Sequence, residues 1–137
     1  ADVNGSYTLF GGILMQWIDV VAGVVSRRHS ECETRTAAID HLEFLAPAYI
    51  NDTVTIAGRV TCVGNTSMEV CVDTFVEHVD NPTRRQHVNR AFLTMVAIGK
   101  DGKPTQVPSL IPETLEEKTD FTAGERRRLM RMRNMSK

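Results

Sequence analysis

The sequence predicts an α+β fold, a long helix wrapped by an antiparallel sheet and followed by a second helix. Three observations predict it. Leu9 to Val25 reads LFGGILMQWIDVVAGVV, an apolar run with no polar face. From residue 34 the apolar residues recur with period two, the spacing of strands whose alternate side chains meet a core. The end of the chain is polar and arginine-rich, with the signals of a surface helix. At 137 residues and 42% apolar content, the chain is the size of one domain, residues 1–137, with enough apolar surface for an ordinary core.

The first helix is expected from Gly12 to about Arg28. Its apolar residues point in every direction, which predicts burial on all sides. Arg27 and Arg28 suit the negative end of the helix dipole, and Gly11 and Gly12 allow a sharp entry into the first turn. TRTAAIDHLEFLAP reads as a strand stopped at Pro47, and YINDTV as a turn. VTIAGRVTCVG and TSMEVCVDTFVEHV are long strands joined at the hairpin signal Gly64-Asn65. DNPTRRQ reads as a connection to a last strand, HVNRAFLTMVAIG, which ends at KDGKP. The proline-spaced PTQVPSLIP is expected to lie extended on the surface. A polar helix follows over about 114–132, with a break expected at Gly124.

Several function classes are excluded by what the chain lacks. A formal charge of −1 gives no pull toward nucleic acid or membrane. The three cysteines, Cys32, Cys62 and Cys71, have neither disulfide nor zinc spacing. The four histidines lack ligand spacing, and no phosphate loop, nucleophile elbow or zinc-protease motif occurs. No apolar run is long enough for a membrane span, and no leader is evident. A reducing cytoplasm is the expected compartment. The main motif starts a few residues from the first residue, which suggests that further chain precedes it.

One residue is out of place. Asp19 falls inside the apolar helix beside Trp17, Ile18, Val20 and Val21, and carboxylates are seldom buried unless paired or working. The residues leave two readings: a structural carboxylate that caps backbone or pairs with an arginine, or a desolvated base or nucleophile. Helix N-terminal N–H groups at Gly11 and Gly12 would suit a developing negative charge. The Asn4 amide could orient water or a carbonyl.

These residues carry a resemblance. N-x-x-x-T-L-F-G-G-x-L-M-x-W-I-D resembles the signature of the hot-dog-fold acyl-CoA thioesterases, the cytosolic acyl-CoA hydrolase family. TAAIDHLEFLAP, GNTSMEV and AFLTMVAIGKDGKPTQVP match the same family in the same order, over most of the chain. The resemblance implies a hot-dog fold, dimers with a continuous sheet, and often trimers of dimers. It implies hydrolysis of acyl-CoA to CoA and a carboxylate without a metal or redox cofactor, coenzyme A being part of the substrate. Asn4 of one protomer and Asp19 of its partner would form the catalytic pair, with Asp19 as general base or nucleophile. The backbone N–H of Gly12, with Gly11, would polarise the thioester carbonyl. Ala37, Ala38 and Ile39 and Thr66, Ser67 and Met68 would line the coenzyme A arm, with Arg128 at its nucleotide end. The family pattern has glycine where this chain has Tyr7, which would reshape the segment holding Asn4 or line the acyl pocket.

Three rivals remain. A non-catalytic acyl-CoA sensor of the same fold would be expected to lack the aspartate and carry a DNA-binding segment. A nucleic-acid binder using the arginine-rich tail would leave Asp19 unexplained. A hot-dog dehydratase would be expected to place a histidine in the motif.

Overall fold

The structure, a computed structural model, describes residues 3–45 and 52–135, with the side chains of residues 3–10, 41, 43, 44, 82 and 135 outside the description. In chain order it forms α1 (Val3–Ser30), β1 (Glu33–Phe44), β2 (Thr53–Val63), β3 (Ser67–His78), β4 (Asn81–Ile98) and α2 (Leu115–Met135). The strands make one antiparallel sheet in the order β1-β4-β3-β2. One helix lies on each face, so the architecture is α+β as expected. No described helix is long and apolar enough to cross a membrane.

Helix α1 packs one stripe on the sheet. Leu14, Ile18 and Ala22 are buried, four residues apart, against Met68, Val70 and Val72 of β3 and Ala91, Leu93, Met95 and Ala97 of β4. Burying a side chain of the Leu or Ile class stabilises by about 1.5–3 kcal/mol, so this stripe fixes the helix on the sheet. Gly58 on β2 permits the close crossing: a Cβ there would lie 2.9 Å from Val21 Cγ1. The stripe continues to Ser26 and Ser30, buried but satisfied. Ser26 Oγ meets Thr34 Oγ1 at 2.8 Å, and Ser30 Oγ donates to the Ser26 carbonyl at 2.8 Å.

Two expectations for α1 are corrected. The helix starts at Val3 rather than Gly12, so Gly11 and Gly12 lie inside it and not at its N-terminus. Burial is also one-sided: Trp17 is 43% and Val20 63% exposed, and Ile13 joins them on the outward face. One stripe of the apolar run packs on the sheet, and the chain itself leaves Ile13, Trp17 and Val20 on the other side exposed.

Strand β4 also differs. DNPTRRQ is not a connection, because β4 begins at Asn81 and pairs with β3 from His78↔Asn81 onward. Among the described residues the β1–β4 register ends at Phe44↔Asn89, so Pro82 lies beyond that ladder, where a missing N–H costs it no bond. The β2–β3 hairpin forms as expected, closed by the Gly64 N–H to the Ser67 carbonyl at 2.8 Å. The segment after β4 is not wholly superficial. Val107 is buried in the core, and its N–H donates to the Asn65 carbonyl at 2.8 Å.

Helix α2 opens with a capping box. Thr114 Oγ1 accepts from the Glu117 N–H at 3.0 Å, and Glu117 Oε2 accepts in return from the Thr114 N–H at 3.4 Å and also from the Glu113 N–H at 2.8 Å. No break occurs at Gly124. At that residue the helix lies close against the sheet, since a Cβ would sit 2.8 Å from Cys62 Sγ.

Candidate active site

Asp19 follows the buried Ile18 on α1 and is directed at the edge strand β1. There Thr36 Oγ1 donates a 2.6 Å hydrogen bond to Asp19 Oδ1. Among the described residues Oδ2 has no protein partner, so one carboxylate oxygen is oriented and the other is available. Asp19 is exposed in the single chain, whereas one of the two readings of the sequence has it desolvated. The cause is the one-sided burial of α1: the apolar neighbours Trp17 and Val20 face outward and leave Asp19 at the rim of an uncovered apolar surface.

Thr36 is the functional candidate that sequence reasoning missed. It opens the TAAIDHLEFLAP stretch, but a hydroxyl on a strand is unremarked until its partner is known. The structure also shows why it is aimed at α1. The β1–β4 register shifts between Thr36↔Met95 and Ala38↔Thr94, so Ala37 is an extra residue in a β-bulge. Bulges re-aim neighbouring side chains and release backbone groups from the ladder. Thr36 Oγ1 also contacts Met95 Sδ at 3.5 Å.

The other expected residues divide between the two ends of a possible ligand path. Ala37 and Ile39 are exposed and Ala38 is half-buried, all on the outer edge of the sheet. Thr66 and Ser67 sit at the β2–β3 hairpin, where the Thr66 carbonyl accepts from the Ala97 N–H at 3.0 Å. Ser67 and Arg35 both face Val96 across β4, so the hairpin and Thr36 share one end of the sheet, about 10 Å apart at two strand spacings. Met68 points into the core and offers a ligand no side-chain surface. Arg128 on α2 lies over the hairpin: a Cβ on Gly64 would be 2.8 Å from its Nε and 3.0 Å from its Cζ. Among the described residues nothing lies within 4 Å of a Cβ placed on Gly11 or Gly12, which leaves that stretch of helix open to approach from them. Asn4 and Tyr7 lie in α1, their side chains outside the described residues.

Two buried carboxylates on β3 complete the charged groups. Period two places Glu69, Cys71 and Asp73 on the sheet face under α2. Asp73 accepts from Arg59 Nη1 at 2.9 Å and Arg90 Nε at 2.7 Å, with His87 Nε2 at 2.8 Å. Burial opposes its charge, yet the bonds from Arg90 and Arg59 outweigh this and hold its carboxyl below the usual carboxylate range. Burial pushes the Cys62 and Cys71 thiols up to about 11, so these are inert packing groups rather than nucleophiles. His78 bridges Asp52 and Gln86, and among the described residues no His, Cys, Asp and Glu groups converge as metal ligands.

A carboxylate oriented by a hydroxyl, an open glycine backbone and a basic residue beyond a hairpin can serve hydrolysis of an extended anionic ester. Comparison with known proteins narrows this. A family model described as the thioesterase superfamily matches residues 7–81. A Bacillus subtilis protein named as an uncharacterized acyl-CoA thioester hydrolase is 44% identical over 116 residues, covering 85% of this chain and 67% of that protein. The cytosolic acyl coenzyme A thioester hydrolase of Rattus norvegicus is 39% identical over 120 residues, 87% of this chain but 32% of its own length. The chain therefore spans about a third of that mammalian relative. Among solved structures, an apo-hexameric acyl-CoA thioesterase superposes with a TM-score of 0.84 at 33% identity, over 91% of this chain and 80% of that one. An acyl-CoA hydrolase of Staphylococcus aureus, in complex with butyryl coenzyme A, coenzyme A and coenzyme A disulfide, gives 0.79 at 31%, over 92% and 79%. Variants of that hydrolase have alanine in place of an asparagine, an aspartate or a threonine, spaced in that order fifteen and seventeen residues apart.

Proposed function

The chain belongs to the thioesterase superfamily, and we propose that it hydrolyses acyl-CoA at a site centred on Asp19 and Thr36. It is a hot-dog acyl-CoA thioester hydrolase, one domain over residues 1–137. The observation that carries the site is the 2.6 Å bond from Thr36 Oγ1 to Asp19 Oδ1. Asn4, Asp19 and Thr36 have the same fifteen- and seventeen-residue spacing as the three positions replaced in the Staphylococcus aureus hydrolase.

In the reaction Asp19 Oδ2 takes a proton from water as its oxygen attacks the thioester carbonyl carbon. The C–S bond breaks, the sulfur is protonated, and a carboxylate and free coenzyme A leave. In the alternative, Oδ2 attacks the carbonyl carbon, the C–S bond breaks and coenzyme A leaves as its thiol after taking up a proton, and water then cleaves the resulting anhydride to the carboxylate and free Asp19. Thr36 serves both by fixing Oδ1 and the plane of the carboxylate. The backbone at Gly12, with Gly11, receives the developing oxyanion, a role supported by the open space beside both glycines among the described residues. Because α1 runs through both glycines, this N–H is shared with the helix rather than freed at its end, which makes it a weaker donor than a helix terminus. Asn4 positions water or carbonyl. No metal or redox cofactor enters these steps.

The pantetheine arm follows β1 past Ala37, Ala38 and Ile39, whose bulged edge backbone offers hydrogen bonds to its amides. Thr66 and Ser67, with the backbone of Met68, lead to Arg128, which meets the nucleotide phosphates. The outward face of α1, with Ile13, Trp17 and Val20, is covered by a second copy, bringing Asn4 of one protomer to Asp19 of the other. Dimers of this kind assemble into a trimer of dimers, in line with the hexameric structural relative. A cytoplasmic location follows the rat relative's name.

Thiol release from acyl-CoA esters of increasing chain length tests the reading, wild type against Asp19→Ala. Turnover that collapses in the folded variant supports it; bound acyl-CoA without turnover in the wild type would point to the sensor instead.

A further inference from the structure

Glu69 is a carboxylate in the middle of the sheet with a side chain only 1% exposed. Arg127 of α2 grips it as a fork, Nε to Oε2 at 2.9 Å and Nη2 to Oε1 at 2.7 Å. Thr61 Oγ1 donates to Oε1 at 2.6 Å, and Arg131 Nη1 lies 3.5 Å from Oε2. The Arg127 guanidinium also stacks on Phe92, 3.8 Å from the ring centroid, while Arg131 reaches Asp40 at 3.1 Å. One turn of α2 is thereby tied to all four strands.

Such a network is a poor source of net stability. A buried ion pair is often no better than apolar residues of the same volume, because desolvation offsets the attraction. What a bidentate fork supplies is geometry: it fixes both the distance and the rotation of the helix that bears it. Gly124, one turn earlier, holds the same helix against Cys62. Rotation matters because Arg128 is the next residue, about 100° further round the helix. Its guanidinium lies on the bare backbone of Gly64, and among the described residues it has no hydrogen-bond or ion-pair partner. An unpaired guanidinium held by a glycine seat beside the Thr66–Ser67 hairpin is placed for an anion from outside the protein.

We propose that Glu69 is a positioning residue, which through the Arg127 fork sets the rotation of α2 and so holds Arg128 over Gly64 to receive the phosphates of the substrate nucleotide. The inference rests on the acyl-CoA reading above. It adds a buried group, remote from the thioester, that governs how strongly the nucleotide end contributes to binding.

The test compares an acyl-CoA with the corresponding acyl-pantetheine, which has the same thioester and no nucleotide, in wild type, Arg128→Ala, Glu69→Gln, Arg127→Lys and Gly64→Ala. Each variant is expected to lower kcat/KM on acyl-CoA about ten-fold through KM, with kcat retained. Acyl-pantetheine kinetics should change far less, so the preference for the CoA ester falls alike in all. Arg127→Lys keeps the charge pair and loses the fork, and Gly64→Ala leaves the buried network intact while its Cβ displaces Arg128, so the proposal survives a Glu69→Gln chain that does not fold. If Arg128→Ala reduces the preference while Glu69→Gln or Arg127→Lys slows both substrates by one factor, the fork is structural only and the proposal is overturned. If Arg128→Ala leaves the preference intact, the nucleotide assignment fails first and takes the positioning role with it. Absence of turnover on either ester would reject the hydrolase reading on which both depend.

Discussion

Thr36 Oγ1 and Asp19 Oδ1 lie 2.6 Å apart, joining the edge strand β1 to helix α1 by a hydrogen bond to one carboxylate oxygen. In the reaction proposed for Asp19, this bond occupies Oδ1 and leaves Oδ2 to act. Asp19→Asn keeps the shape but cannot accept a proton, so kcat should fall by about 10²–10⁴. Thr36→Val removes only the orienting bond, and a hydrogen bond to a charged group contributes about 1.5–3 kcal/mol, so kcat should fall by roughly ten-fold or more. Thiol release on folded variants reads both. Equal rates in Thr36→Val and wild type would remove Thr36 from the site.

The outward face of α1 makes a separate prediction. Val20 is 63% exposed in the protomer, beside Trp17 and Ile13. If a second copy covers this face, Val20→Glu places an unpaired carboxylate in an apolar interface at a cost of several kcal/mol. Sedimentation should then show the assembly shifted to smaller species, with activity lost in parallel while circular dichroism keeps its helix signal. An unchanged sedimentation profile would show that the oligomer does not use this face.

What the sequence conveyed and what it withheld follow from the same helix. Period two marked the strands, and Gly64-Asn65 marked a hairpin, because turns and alternation are local properties. The misreading of α1 was not local. An apolar run covered on all sides and one covered along a single stripe have the same composition, and only the fold shows that Leu14, Ile18 and Ala22 are buried while Ile13, Trp17 and Val20 are not. Pro82 concealed the start of β4 because its tolerance depends on where β1 stops pairing. Gly124 suggested a break because a close approach to Cys62 cannot be seen from one strand of sequence. Thr36 went unnoticed for the same reason: its partner is seventeen residues away and on another element.

Asp73 gives a pH prediction. Its carboxyl is held below the usual range by Arg90 and Arg59 despite burial, so the folded state binds the proton less readily than the unfolded chain. A depressed carboxyl contributes stability that is present above the unfolded value, near 4, and is lost as pH falls through the lower folded value. Arg59 and Arg90 are about 40% exposed, so solvent screens part of the effect. Asp73→Asn should cost about 1–3 kcal/mol at pH 7. Urea unfolding should show the gap between wild type and variant narrowing as pH is lowered from 5 toward 3. A gap that stays constant would mean that Asp73 contributes by packing rather than by charge.

The last prediction concerns the end of α1. Glu31 has φ of 58°, the left-handed conformation that closes a helix, and its N–H donates to the Arg27 carbonyl at 2.8 Å. Glycine usually takes this position because a Cβ crowds the neighbouring carbonyl, at a cost of about 1 kcal/mol. The Glu31 side chain is exposed and has no hydrogen-bond or ion-pair partner among the described residues, so little opposes its removal. Glu31→Gly should therefore raise the urea midpoint, with ~0.5–1 kcal/mol of added stability and unchanged m-value. Thioesterase activity should be unaffected, because Asp19 lies three turns away along the helix. A lowered midpoint would mean that the freedom gained by glycine in the unfolded chain outweighs the strain relieved at this cap.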